Sequence, residues 1–322
     1  MRYNLKAAVI GTGYMGKIYI NILKDMVEEL VICTTDTETG EKISGELGVR
    51  LYSDYKTMLS AEKPSFVAVC LPTHLHAEVT VAAIREGANV LCEKPFAASV
   101  AEAEEMIRCA DEKNLLLMIA HCVRFSKPYA YMKSLLKDKR YGELLSLKVF
   151  RESSRPRWSV GGWLDNSSVS GGVIRDLNIH NTDIIIGLLG EPYGARTFGT
   201  DAVVQTVYNY GAGIAVSSSA SWKDVKDTPF ESGFDAIFEH AWVRSKDDGT
   251  VVYTDDGVAD VLLADELSHL GDDIYTNEIE YFCRMLECGG RVDLCPPSES
   301  LKALRVSFAE SKSLECGCEQ NI

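Results

Sequence analysis

Leu5-Lys6-Ala7-Ala8-Val9-Ile10 runs without a break into Gly11-Thr12-Gly13-Tyr14-Met15-Gly16, and a helix-like stretch, Lys17–Leu30, follows. The first six residues read as a strand, and the next six fit G-x-G-x-x-G between a strand and a helix, the setting that gives this pattern meaning. Gly11 permits the tight turn, Gly13 lets the backbone approach a pyrophosphate, and Gly16 permits close packing of helix on strand. The N–H groups of the helix start, with the helix dipole, then stabilise an anion. Thr12, Tyr14 and Met15 fill the rest of the loop. The alternative for the same residues is a tight turn that binds nothing.

Outward from this loop, strand candidates Leu30–Thr34, Phe66–Leu71, Asn89–Cys92 and Leu115–Ala120 alternate with helix candidates Glu38–Leu47, Leu75–Glu86 and Val100–Lys113. Alternation of this kind predicts a doubly wound parallel sheet. Gly48 and Gly87 stand where helix C-caps belong. After His121 the texture changes. Helix-like Pro128–Lys137 and strand-like Leu144–Glu152 precede a loop bearing Arg155, Arg157, Trp158 and Trp163, and then a helix over Asp176–Leu189. From Ala195 to about Tyr253 come consecutive strands, such as Ala202–Tyr208, Gly213–Trp222 and Gly233–Arg244, which are expected to be antiparallel. Helices near Ile274–Glu287 and Ser298–Leu314 close the chain. The expected division is a dinucleotide-binding domain over residues 1–122 and a second domain over residues 123–322.

The 322 residues suit two domains of the usual ~100–200 residues. A net charge of -14, with no basic stretch, argues against nucleic acid as a partner. No apolar run approaches the ~18 residues that cross a bilayer, and the start lacks a signal-peptide pattern, so a cytoplasmic protein is expected. Ten scattered cysteines fit a reducing compartment. Cys316 and Cys318 form the closest pair, in a tail read as frayed, and no metal site is expected.

The ribose-contacting acid belongs ~20 residues past the glycine loop, at the tip of the second strand. Thr34, Thr35 and Asp36 compete for that place. Asp36 at the tip favours NAD, whereas Thr34 there displaces the acid and admits NADP; with no arginine nearby, the lean is to NAD. Glu93-Lys94-Pro95 ends the strand Asn89–Cys92 at the carboxyl edge of the sheet, where ligands bind. An ammonium there can stabilise negative charge on a substrate oxygen. Asp176 and His180 are four apart, hence on one helical face. Imidazole suits removal of the hydroxyl proton that must accompany hydride loss, and Asp176 could orient it. Trp158 and Trp163 could stack on sugar rings or simply pack. Arg175 could meet an anionic substrate group or solvent.

Taken together and in order, GTGYMG, CEKPFA and GGVIRDLNIHNTD resemble the glucose–fructose oxidoreductase/inositol dehydrogenase (Gfo/Idh/MocA) family. The resemblance extends to the Leu71-Pro72-Thr73 turn with His76, the Arg124-Phe125 step and Gly142-Glu143. It implies a Rossmann domain followed by an α+β domain with an open, largely antiparallel sheet through which homodimers or homotetramers form. It implies an NAD(P)-dependent dehydrogenase of a sugar, inositol or related polyol. By resemblance, Lys94 contacts the carbinol oxygen, His180 is the acid/base and Asp176 assists it. The expected cofactor contacts are the glycine loop, Thr34–Asp36, Leu71, Pro72, Thr73, His76, Glu93, Lys94 and Pro95. The expected substrate contacts are Lys94, Arg124, Trp158, Trp163, Arg175, Asp176 and His180. Two other readings stand beside this one: a family member that retains NAD and acts as a lyase or glycoside-cleaving enzyme, and a non-catalytic nicotinamide-binding regulator.

Overall fold

The computed structural model of the chain describes residues 2–156, 162, 164, 166–225, 228–246, 249–261, 267 and 270–322. By its internal contacts the chain divides into two units. The first is Met1–Cys122 with Asp273–Leu301, and the second is Val123–Asp272 with Lys302–Ile322.

In the first unit β1 (Tyr3–Ile10), α1 (Tyr14–Met26), β2 (Val27–Cys33), α2 (Thr37–Leu47), β3 (Arg50–Tyr52), α3 (Tyr55–Glu62) and β4 (Phe66–Val69) come first. They are followed by α4 (His76–Arg85), β5 (Asn89–Glu93), α5 (Val100–Lys113) and β6 (Leu117–Ala120). The strands form one parallel sheet in the order β3-β2-β1-β4-β5-β6, so the order reverses between β1 and β4. That reversal opens a crevice at the carboxyl ends of these two strands. Ala7, Ala8, Val9, Val67, Ala68 and Val69 are fully buried, as expected of a parallel sheet covered on both faces. The sequence reading passed over β3 and α3, which are too short to show a period. A polar signal was present: Asp54 caps α3 by accepting from the Thr57 N–H.

The segment Asp273–Leu301, which the sequence reading ran on with the second domain, packs with the first unit. It begins α9, which runs from Ile274 to Cys288. Phe282 of α9 meets Phe66 of β4 edge to face at 5.5 Å, and the Tyr19 hydroxyl of α1 donates to Glu278 at 2.9 Å. The amphipathic face of α9 is thus buried against β1, β4 and α1.

The second unit holds α6 (Lys127–Asp138), β7 (Leu144–Ser154), α7 (Ser167–Ser170), a π-helical turn (Ile174–Asn178) and α8 (Ile179–Leu189). Strands β8 (Gly194–Gly199), β9 (Val203–Asn209), β10 (Ala215–Lys223), β11 (Glu231–Phe238), β12 (Trp242–Lys246), β13 (Gly249–Thr254) and β14 (Gly257–Val261) follow. The helix α10 (Pro297–Cys316) leads to a short β15 (Gln320–Asn321). The sheet order is β14-β13-β12-β11-β7-β10-β9-β8-β15. It is antiparallel except where β7 and β10 pair in parallel, so the sheet is largely antiparallel, as expected. The expected single strand Gly233–Arg244 is two strands, β11 and β12, joined by a tight turn closed by Phe238 N–H to Ala241 O at 2.8 Å. Glu239 and His240 make that turn without Gly or Pro, so no breaker marked it. The tail is likewise not frayed, because β15 pairs with β8 through Gln320–Ala195 and Asn321–Gly194.

One face of this sheet buries Leu147, Val149, Val216, Phe234 and Ala236 against Met132, Leu135, Ile185 and Val306. The core also contains a carboxyl group. Glu310 of α10 is fully buried and accepts from the Tyr208 hydroxyl at 2.5 Å, the Thr182 hydroxyl at 3.0 Å and the Asn178 amide at 3.3 Å. Burial raises its pKa from the ordinary 4.5 to about 7, although the three donors pull the other way. Between those values the folded chain holds a proton that the unfolded chain has lost, so stability falls as pH rises through the window and levels off above it. The expected loss from about pH 4.5 to 7 is roughly 3 kcal/mol. Urea unfolding across this range tests it: Glu310→Gln is expected to flatten the dependence, and an unchanged slope in the variant would assign it to other groups.

Candidate active site

The glycine loop leaves β1 at Ile10 and enters α1 at Tyr14. Gly11 has φ of 99°, and a Cβ there would lie 2.3 Å from the Cys70 carbonyl oxygen at the tip of β4. A Cβ on Gly16 would lie 2.0 Å from the Gly11 carbonyl oxygen. These two glycines are therefore required by backbone crowding, Gly11 against the tip of β4 and Gly16 against the turn itself. Gly13 differs, since a Cβ there would meet nothing within 4 Å. Its open side gives access to the start of α1, which Gly13 does not cap with a side chain. This cradle fits a pyrophosphate, as dinucleotide binding requires. Thr12, Tyr14 and Met15 divide the loop: Thr12 is buried, Tyr14 is exposed and Met15 is between.

At the next strand tip Thr34, and not Asp36, is the first residue beyond β2. Its hydroxyl accepts from the Thr12 hydroxyl at 2.9 Å and from the Asp36 N–H at 3.1 Å, tying the strand tip to the glycine loop. Thr35 and Asp36 are exposed, and the Asp36 carboxylate caps α2 by accepting from the Thr39 N–H at 3.1 Å. The Thr39 hydroxyl first, and then this N–H, hold its pKa below the ordinary value.

Around the tips of β4 and β5 the chain makes two further loops. Leu71 and Pro72 are half-buried and Thr73 is buried. His76 is fully buried, with Nδ1 2.8 Å from Pro95 O and Nε2 2.8 Å from Leu71 O. The ring therefore bridges the loop after β4 to the loop after β5 from beneath, and is not itself presented to a cofactor as the sequence reading expected. Burial holds its pKa below the ordinary value. Glu93 is buried and accepts from the Lys94 N–H at 3.1 Å, which fixes the backbone of Lys94, whose side chain is half-buried.

In the second unit Gly171 and Gly172, with φ of 79° and 62°, turn the chain into the π-helical segment that carries Asp176. His180 lies in the first turn of α8. A π turn inside a helix is a recurrent feature of functional sites. Asp176 and His180 are both half-buried, the first in the π turn and the second in the first turn of α8. The rest of the segment is buried and braced. Asn178 and Thr182 reach Glu310, and the Asn181 amide donates to Ser219 O at 3.0 Å. Asp183 receives Arg124 through Nε–Oδ2 at 2.7 Å and Nη2–Oδ1 at 2.8 Å, both side chains being inaccessible.

Sequence reasoning placed Arg124 at the substrate, but a guanidinium engaged in this way is a brace of α8. Arg175 stacks over the Phe308 ring with Cζ 4.9 Å from its centroid, and burial lowers its pKa. Arg175 is half-buried by this packing. Trp158 and Trp163, with Arg157, lie outside the described residues. Sequence reasoning missed the bracing set Asn178, Thr182, Tyr208 and Glu310. The available signal was polar residues inside an otherwise apolar helix, since buried polar groups need partners.

Residues 5–121 match a family model described as the oxidoreductase family, NAD-binding Rossmann fold, and residues 129–259 match the GFO/IDH/MocA C-terminal domain. A 2,7-anhydro-N-acetylneuraminate hydratase from Mediterraneibacter gnavus is 31% identical over 57% of this chain and 49% of its own length. The NADP+-dependent scyllo-inositol 2-dehydrogenase of Bacillus subtilis is 26% identical over 58% of this chain and 52% of its own. The chain thus spans about half the length of the curated relatives it matches. A levoglucosan dehydrogenase solved with NADH and levoglucosan has the same fold, with a TM-score of 0.86, 20% identity and 99% of each chain covered.

Proposed function

Because the chain belongs to the Gfo/Idh/MocA oxidoreductase family, we propose that it is an NAD(P)-dependent dehydrogenase acting on a secondary alcohol of a sugar, inositol or related polyol. The observation that carries this reading is the glycine turn at the β1/β4 reversal, closed at Gly11 and Gly16 and open at Gly13. Names among the relatives, an inositol and a levoglucosan dehydrogenase, support the substrate class.

A bound nicotinamide supplies the hydride acceptor or donor. The chain supplies the rest. Lys94 binds the carbinol oxygen and stabilises negative charge on it. His180 takes the hydroxyl proton, and Asp176 orients and charge-stabilises the imidazole. Thr12, Gly13 and Thr34 line the cofactor, with Leu71, Pro72 and Thr73 beside it. The test is an absorbance screen for reduced nicotinamide with inositols, aldoses, sugar acids and sugar phosphates, run beside Lys94→Ala. Turnover of a polyol that the variant lacks supports the reading, and wild-type turnover in the variant overturns it.

On the cofactor's 2′ position the reading keeps its lean to NAD. Asp36 sits two residues past the tip of β2 but remains an exposed, ionised acid, which disfavours a 2′-phosphate. NADH is expected to bind at least as tightly as NADPH, and Asp36→Ala is expected to shift the ratio toward NADPH. A clearly tighter NADPH complex in the wild type overturns the lean.

The hydratase relative favours a second reading, in which the cofactor stays bound and transient oxidation acidifies a neighbouring carbon. It predicts cofactor that copurifies and no net NADH. Either enzyme is placed in the cytoplasm as a homodimer or homotetramer through the second-unit sheet. In support, exposed Phe198, Val203, Val207, Ile237 and Trp242 lie on the sheet face opposite the helices, and among the described residues no helix is long and apolar enough to cross a membrane.

A further inference from the structure

Cys316 and Cys318 are unlike the other eight cysteines. Both are exposed, as is Cys288, but these two stand together at the C-terminal end of α10 with their Sγ atoms 2.8 Å apart. Gly317 between them has φ of 66°, a left-handed turn that an L side chain resists and that brings both sulfurs to one side. The turn is fixed at both ends. The Gly317 N–H donates to Ser313 O at 2.9 Å, and the Ser313 hydroxyl donates to Cys318 O at 2.7 Å while accepting from the Thr197 N–H at 2.9 Å. Beyond it, β15 pairs with β8. The Gln320 amide nitrogen lies 3.2 Å from each sulfur, a donor placed to stabilise a thiolate on either.

We propose that Cys316 and Cys318 form a dithiol site that small-molecule disulfides, of the glutathione-disulfide class, oxidise reversibly to an intramolecular disulfide. The Cys316 thiolate attacks one sulfur of the oxidant and forms a mixed disulfide, releasing one small thiol. Cys318 then loses its proton, attacks the Cys316 sulfur and expels the second small thiol. Two cysteine thiols are oxidised by two electrons and one disulfide oxidant is reduced to two thiols, so the step balances without a metal. The Cys318 contact pulls the Cys316 pKa below its ordinary value, which suits it as the attacking group. Because the ends of the turn are already held, closing the bond requires little ordering, and its exposure keeps it reducible.

The experiment equilibrates the full-length protein in glutathione buffers of graded disulfide content, quenches in acid, and alkylates all thiols after denaturation. The expected result is a fall from ten alkylatable thiols to eight, with the peptide bearing Cys316 and Cys318 lighter by two hydrogens and restored by reductant. Cys316→Ser and Cys318→Ser are expected instead to accumulate a persistent glutathione adduct on the remaining thiol. Cys288→Ser, which removes the other exposed cysteine, should leave the loss of two thiols unchanged. Ten alkylatable thiols throughout, a stable wild-type glutathione adduct, or disulfide-linked dimers would each overturn the proposal.

Discussion

His180→Ala is expected to lower the turnover number on the polyol found by the screen by ~10²–10⁴-fold, the usual contribution of one positioned acid/base group. Lys94→Ala is expected to lower it by ~10²–10³-fold, as for removal of one donor that stabilises developing negative charge. Both side chains are half-buried, so the fold is expected to survive. Cofactor binding separates chemistry from folding: each variant should still titrate NADH. The two losses should not add, since groups acting on one proton transfer fail as a unit. A double variant about as slow as His180→Ala alone supports shared action on the carbinol. If the losses multiply fully, Lys94 acts apart from His180 and its assigned role is wrong. Cofactor that copurifies with an inactive wild type would instead move the weight to the hydratase-like reading.

The strand, glycine turn and helix that open the chain could be read from residue order because that pattern is local. Gly11, Gly13 and Gly16 announce a tight turn by their spacing alone, although the atom that crowds Gly11 is the distant Cys70 carbonyl oxygen and only Gly16 is crowded by the turn itself. The misread positions depend on partners distant in sequence. Nothing near Arg124 shows that its guanidinium is engaged by Asp183, 59 residues away, nor does Thr182 announce Glu310, 128 residues away. The choice between Thr34 and Asp36 stayed open for a different reason: an acid before a helix serves equally as an N-cap or as a ribose ligand, and its sequence position alone does not separate the two. In the fold, β3 was lost through shortness and the β11–β12 turn through the lack of Gly or Pro. The parallel pairing of β7 with β10 follows from topology, which strand patterns do not encode.

Asp183→Ala is expected to destabilise the chain by about 3–5 kcal/mol, the cost of leaving one member of a buried ion pair without the other. The pair is bidentate, both side chains are within 1% of full burial, and the Arg124 fork also lies 3.4 Å from the Asp183 carbonyl oxygen. A guanidinium is effectively always protonated, so removing Asp183 leaves a buried cation beside Tyr129 and Gly187 without its carboxylate. A simple cavity would cost less and would not depend on which partner was removed. The double substitution Arg124→Met with Asp183→Leu separates the two explanations, because it removes both charges while keeping apolar volume. It is expected to recover most of the loss, as buried pairs are often replaceable by packed apolar residues. Urea denaturation of the two single variants and the double variant closes the cycle. A double variant as unstable as the sum of the singles would mean that the pair holds α8 through its geometry and not through its charge. In that case the turnover of any soluble double variant should fall with it, since α8 carries His180.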